Sequence, residues 1–209
     1  MIKIKICGIT NIPDALLCSH AGANALGFIF SKKSPRCIGE KAAKKIIAEL
    51  DPFVSKVGVF LDEEKNTVAD IAGALTLDAL QFHGSESPAY CAFFREHYNV
   101  IKVFFAGNKN LRETVARYHV DAYSFDIKYE DKLRGLKTLP KDMLRNIIPF
   151  IKMGKRIIVS GGLTVNNISS ALKIKPYAVD VASGLEEFVG KKDALLVHRF
   201  INEVTHATT

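Results

Sequence analysis

The sequence predicts an α/β fold, a single (β/α)8 TIM barrel formed as one domain over residues 1–209. Strand-like and helix-like segments alternate from end to end, giving eight strand-then-helix units with no break in composition between them. The connections are short, and most strands are near-continuous apolar runs, as parallel strands covered on both faces require. The length of 209 residues also suits such barrels, which start near roughly 200 residues. A doubly wound open sheet is the alternative. It usually has fewer strands, and its dinucleotide-binding form needs a G-x-G-x-x-G turn, which this chain lacks.

The first strand covers Ile2 to Ile6, with isoleucine at every second position, and gives way to Cys7 and Gly8. A helix follows over Asn11 to Ala21, with Asn11 at the cap, Pro13 in the first turn and Gly22 at the stop. Ala25 to Phe30 is the second strand, followed by a polar loop from Ser31 to Gly39 and a helix over Glu40 to Leu50. Val54 to Phe60 is a strand, and Glu63 to Leu75 a helix with an acidic first turn. Ala79 to Phe82 is a short strand; Ser87 caps a helix from Pro88 to about His97. Val100 to Phe105, Leu111 to Tyr118 and Asp121 to Phe125 are strand, helix and strand, the last ending at Asp126. A polar loop from Ile127 to Pro140 precedes a helix over Lys141 to Met153, which Pro149 is expected to end or kink. Arg156 to Ser160 is a strand, Asn166 to Ile174 a helix and Tyr177 to Val181 a strand. A short helical segment at Leu185 to Val189 is expected before the last helix, Asp193 to Val204.

Composition narrows the function. Cys7, Cys18, Cys37 and Cys91 are scattered, with no C-x-x-C and no zinc-ligand spacing, which implies a reducing compartment and no structural metal. No apolar run is long enough to span a bilayer and no signal core opens the chain, so a cytoplasmic protein is expected. The net charge of +7 has an ordinary source in exposed helical lysines such as Lys41, Lys44 and Lys45. Basic residues interleaved with aromatics are absent, which argues against nucleic acid. A positive field favours a small anionic substrate.

In a barrel, the residues just past each strand share one mouth. Here they are Cys7, Arg36, His83, Asp126, the Gly161–Gly162 pair, and Asp180 to Gly184. Ser160-Gly161-Gly162 and Ala182-Ser183-Gly184 end the last two strands. Small residues there let backbone N–H groups approach a phosphate, and barrels commonly bind phosphate after strands seven and eight. Arg36 offers a fork for a carboxylate, though a surface arginine reads the same way. Cys7 reads equally as a small buried hydrophobe, His83 as a core histidine, and Asp126 as a loop cap. A partly desolvated Asp126 would suit a proton donor.

These residues together resemble the phosphoribosylanthranilate isomerase family. The resemblance rests on KICGIT at Lys5–Thr10, GFIF at Gly27–Phe30 followed by SPR at Ser34–Arg36, and VGVF at Val57–Phe60. It continues with LDALQFHG at Leu77–Gly84, SGGL at Ser160–Leu163 and VDVASGLE at Val179–Glu186. It implies an Amadori rearrangement that opens the ribose of N-(5-phosphoribosyl)anthranilate, with no metal or organic cofactor. By position, Cys7 resembles the general base and Asp126 the general acid. Arg36 would hold the anthranilate carboxylate, and His83 lies in a family motif. Gly161, Gly162, Asp180, Ala182, Ser183 and Gly184 would bind the phosphorylated end of the substrate. The partner implied is that small molecule alone, with neither membrane nor nucleic acid, and the protein a monomer or homodimer. The helix start at Thr10 to Pro13 and nearby Arg36 are expected to stabilise a Cys7 thiolate.

The sequence departs from the family at two places. Lys132 to Thr138 reads KLRGLKT where the family usually has Gly-Gly-Thr-Gly, leaving Lys128, Lys132, Arg134 and Lys137 to replace backbone donors. Ala182 stands where a serine is usual. These changes leave two other readings open: a different phosphosugar isomerase or epimerase on the same barrel, or a non-catalytic phospholigand-binding protein.

Overall fold

The computed structural model describes residues 1–105, 110–127 and 141–207. Eight parallel strands close into a barrel in sequence order: β1 (Lys3–Cys7), β2 (Ala25–Ile29), β3 (Ser55–Phe60), β4 (Ala79–Phe82), β5 (Asn99–Phe105), β6 (Ala122–Asp126), β7 (Ile157–Val159) and β8 (Ala178–Val181). Closure is made by β1, which pairs with β2 (Cys7 opposite Gly27) and with β8 (Lys5 opposite Asp180). Around it run α1 (Ile12–Ala21), α2 (Glu40–Ala48), α3 (Lys65–Ala74), α4 (Pro88–Arg95), α5 (Leu111–Ala116), α6 (Lys141–Lys152), α7 (Ile168–Leu172) and α8 (Ala194–His206). No helix among the described residues is long and apolar enough to cross a membrane.

Alternation along each strand builds two cores. Ile4, Ile6, Leu26, Phe28, Phe60, Phe82 and Phe125 point outward and pack under the helices. Val57, Ala79, Ile101, Ala122, Ile158 and Ala178 point inward and plug the barrel at its amino end. Each large outward side chain contributes about 1.5–3 kcal/mol by leaving water, so the outer layer supplies most of the stability. Above the inner apolar plug the interior turns polar: Lys5, Gln81, Ser124, Ser160 and Asp180 are all buried. The Lys5 ammonium pairs with Asp180 at 2.8 Å, and the Ser124 and Ser160 hydroxyls meet at 3.1 Å.

The caps follow the sequence. The Asn11 side chain accepts the Asp14 amide and Gly22 closes α1 with φ 109°; the Ser87 side chain accepts the Tyr90 amide at the start of α4. Two elements differ from expectation, while α6 keeps its expected span to within a residue. Helix α3 starts at Lys65, so Glu63 and Glu64 precede it and its first turn is not acidic. Glu86 accepts the Asp62 amide and Asp62 accepts that of Ser85, which holds the chain in a turn before the helix begins. Helix α6 runs through Pro149 to Lys152, and the Pro149 carbonyl still accepts from Met153. Lastly, only Leu185 of the expected Leu185–Val189 segment is helical. One 3₁₀ turn (Ser183–Leu185) leads into β9 (Glu186–Phe188), which folds back on β10 (Lys191–Lys192). Asp14 of α1 fixes this hairpin by accepting the Lys191 ammonium at 2.5 Å and the Lys192 amide at 2.7 Å. The loop substitution at Lys132–Thr138, with Lys128, Lys132, Arg134 and Lys137, lies outside the described residues.

Candidate active site

A cavity of about 540 Å³ opens at the carboxyl ends of the strands, within the size range of small-molecule sites. Cys7, Arg36, His83, Asp126, Gly161, Gly162, Asp180, Ala182 and Ser183 all line it. A second depression, beside Arg95, His97 and His119 at the opposite end of the barrel, gathers none of them.

Cys7 ends β1 on the same face as Lys5, and is 7% exposed. Gly27 stands opposite it, and a side chain there would put a Cβ 2.6 Å from the Cys7 sulfur and 3.0 Å from the Lys5 nitrogen. The missing side chain is what leaves room for both groups. Burial pushes the Cys7 thiol above its ordinary pKa, with Lys5 opposing that rise and Asp180 adding to it. The side-chain cations acting on the sulfur are therefore Lys5 first and Lys192 after it, and the expected Arg36 is not among them. Burial is the largest single influence on the Lys5 ammonium and acts against it, but Asp180 and Cys7 together hold Lys5 above the ordinary lysine value.

Asp126 ends β6. Its Oδ1 accepts the Ile127 amide at 2.5 Å, and its Oδ2 lies 3.6 Å from His83 Nε2. The His83 ring also stacks at a tilt on Phe105, 5.9 Å between centroids. Asp126 thus has one oxygen held by the backbone and the other beside an imidazole at the cavity wall. Gly161 lets the seventh-strand loop pass close by: a Cβ there would lie within 2.5 Å of Asp126 Oδ1. Gly161 and Gly162 take φ values of 85° and 68°, the left-handed region that glycine tolerates. Their amides donate to no backbone acceptor among the described residues, and successive N–H groups in such a turn are an arrangement that can bind an anion.

Arg36 lines the cavity with its stem over Gly8. Its Nε and Nη2 both donate to Glu186, at 2.7 and 2.5 Å. Glu186 also accepts from Lys192 at 3.0 Å, and Lys192 in turn donates to the Cys7 carbonyl at 2.9 Å. Arg36 and Lys192 hold the Glu186 carboxyl below its ordinary pKa in spite of burial, the largest opposing influence.

Two expected phosphate residues sit differently. Asp180 is on the cavity floor in the Lys5 ion pair, where a second anion would be repelled. Gly184 does not line the cavity; a Cβ there would meet the Leu163 carbonyl oxygen, so its role is to let two loops touch. The helix amino end expected behind it is a single 3₁₀ turn. The sequence reading did not single out Lys5, Gln81, Glu186 or Lys192. Lys5 was recoverable, because it stands two residues before Cys7 on a strand and must share its face.

A closed parallel barrel with its ionisable residues gathered at the carboxyl mouth belongs among the (β/α)8 enzymes. Within them, this chain belongs to the N-(5'-phosphoribosyl)anthranilate isomerase family, whose model matches residues 4–203. It is 44% identical to the N-(5'-phosphoribosyl)anthranilate isomerase of Geobacter sp. (strain M21) over 204 residues, 97% of this chain and 98% of that one. The crystal structure of the Thermotoga maritima enzyme superposes with a TM-score of 0.89 at 37% identity, covering 99% of this chain and all (100%) of that one. Another crystal structure, at TM-score 0.87 and 36% identity, covers 99% of this chain and 100% of its own; it is of a phosphoribosylanthranilate isomerase in complex with reduced 1-(o-carboxyphenylamino)-1-deoxyribulose 5-phosphate.

Proposed function

We propose that this chain, acting as one catalytic domain, rearranges N-(5-phosphoribosyl)anthranilate to 1-(2-carboxyphenylamino)-1-deoxyribulose 5-phosphate, with Asp126 as general acid and Cys7 as general base. One observation carries the assignment of roles: a thiol from β1 and a carboxyl from β6 line the same cavity, with the Gly161–Gly162 amides beside them. Protonation of the ribose ring oxygen by Asp126 opens the ring to a C1 iminium. The iminium acidifies C2, whose proton passes to the Cys7 sulfur. The resulting enaminol takes a proton at C1 and releases its C2 hydroxyl proton to become the ketone, and these two transfers restore the Cys7 thiolate and the Asp126 acid. Each positioned proton transfer is worth roughly 10²–10⁴-fold, or about 3–5 kcal/mol of barrier.

The phosphate fits against the amides of Gly161 and Gly162 and the Ala182–Ser183 turn. The Arg36 guanidinium, oriented by Glu186, faces the substrate carboxylate. His83, beside Asp126, orients the acid. The test is a continuous fluorescence assay on the anthranilate substrate. Turnover by the purified protein is expected, and Cys7→Ser and Asp126→Asn should each lower kcat by at least about a hundredfold. Undiminished turnover in both variants would overturn the roles, and no turnover by the parent protein would overturn the activity.

A further inference from the structure

The Lys5–Asp180 pair lies at the bottom of the cavity, and the chemistry described so far does not use it. An ion pair this deep is not explained by stability, since apolar residues of similar volume commonly do as well. Its position is specific: the missing Gly27 side chain leaves a space that the Lys5 nitrogen and the Cys7 sulfur share. A thiolate that is 7% exposed needs a fixed positive charge beside it, because burial disfavours the anion.

The charged groups around the sulfur can be taken element by element. From β1 comes Lys5. From β8 comes Asp180, whose Oδ2 is on Lys5 and whose buried Oδ1 has no hydrogen-bond partner among the described residues. From β10 comes Lys192, whose ammonium is tied to the Cys7 and Ala182 carbonyls and to Glu186. Arg36, from the loop after β2, is tied to Glu186. Lys5 is thus the cation placed against the sulfur, and its own charge is kept by Asp180.

We infer that Lys5 is a positioning residue that keeps Cys7 available as a thiolate base, by holding an ammonium charge against the sulfur while Asp180 holds that ammonium in place. The inference rests on the reading of Cys7 as the base. Lys5 gives up no proton in the cycle: the C2 proton goes to sulfur, and the lysine stays charged throughout. Protonating the sulfur removes the anion the lysine faces, so the pair favours the state from which each turnover starts.

The test reads the thiolate directly and does not depend on turnover. In a Cys37→Ser background, which removes the exposed thiol, iodoacetamide labelling of Cys7 is followed against pH and located by peptide mass. Cys18 and Cys91 are 0% and 1% exposed and lie away from the cavity that Cys7 lines, so the reagent does not reach them, and peptide mass separates them from Cys7. Lys5→Met is expected to slow labelling at neutral pH at least about tenfold and to move its midpoint up by at least about one pH unit. Lys5→Arg should keep the rate within about threefold of the parent. Lys5→Met/Asp180→Asn removes both charges, so it leaves no unpaired buried carboxylate to unfold the barrel; because Asp180 opposes the thiolate, it should label faster than Lys5→Met but still more slowly than the parent.

In turnover, Lys5→Met should lower kcat at least about tenfold with KM within about twofold. A labelling midpoint unmoved in the double variant overturns the inference, as does a loss confined to KM. If the parent labels as expected but does not isomerise the substrate, the functional reading fails while this one stands.

Discussion

Glu186 is the keystone between two cations, and Glu186→Gln tests that in a single atom change. The side chain is 4% exposed and accepts both Arg36 nitrogens as well as the Lys192 ammonium, itself 0% exposed. Breaking a buried pair by removing one partner costs about 3–5 kcal/mol. Glutamine keeps one acceptor oxygen, which returns about 1 kcal/mol. A net loss of about 2–4 kcal/mol is therefore expected. For a chain of this length about 2–4 °C accompanies each kcal/mol, so Tm at pH 7 should fall by at least about 4 °C.

The pH dependence gives the same test a second reading. The folded Glu186 pKa lies below its ordinary value. Its stabilisation is therefore fully present above the ordinary glutamate range and is lost as pH falls through the folded value. The gap in Tm between parent and variant should be widest near neutrality and should close in acid. Scanning calorimetry from pH 3 to 7 measures both. A shift below about 2 °C at pH 7, or a gap that stays constant into acid, would refute the reasoning.

Two further outcomes follow from the geometry. Arg36→Ala should raise KM for the anthranilate substrate at least about tenfold, from loss of a charged hydrogen bond, while kcat falls less; steady-state kinetics with KM unchanged would take Arg36 out of the substrate site. Gly184→Ala drives a Cβ into the Leu163 carbonyl oxygen, where backbone rather than a flexible side chain must yield, so urea melts should show a loss of about 3 kcal/mol. An unchanged midpoint would contradict the contact.

How much was legible in the sequence differs from residue to residue. The strands were read within a residue or two because both cores are built on strict alternation, and that alternation also placed Cys7 and Asp126 at the mouth. The same rule places Lys5 with Cys7, but a lysine in a strand reads first as an exposed side chain, and only the Asp180 partner 175 residues away makes it an interior one. The hairpin after β8 was misread as helical, because what shapes it is Asp14 of α1, which local composition does not reveal. For the same reason the local sequence around Arg36 does not reveal Glu186, 150 positions along the chain, which orients its guanidinium. Helix α3 began late because Glu86, from the neighbouring turn, held the preceding residues. In each case the residue type was informative and the distant partner decided its work.

The closing of β8 against β1 has a consequence for synthesis on the ribosome. Cys7 and Lys5 are translated well before Asp180, Glu186 and Lys192, which settle their charges; the Asp180 partner of Lys5 follows it by 175 residues. Until then the lysine has no counter-ion and the sulfur has no finished surroundings. The thiol is made first and becomes competent last, so a truncated or nascent chain would carry the reactive atom without the means to use it.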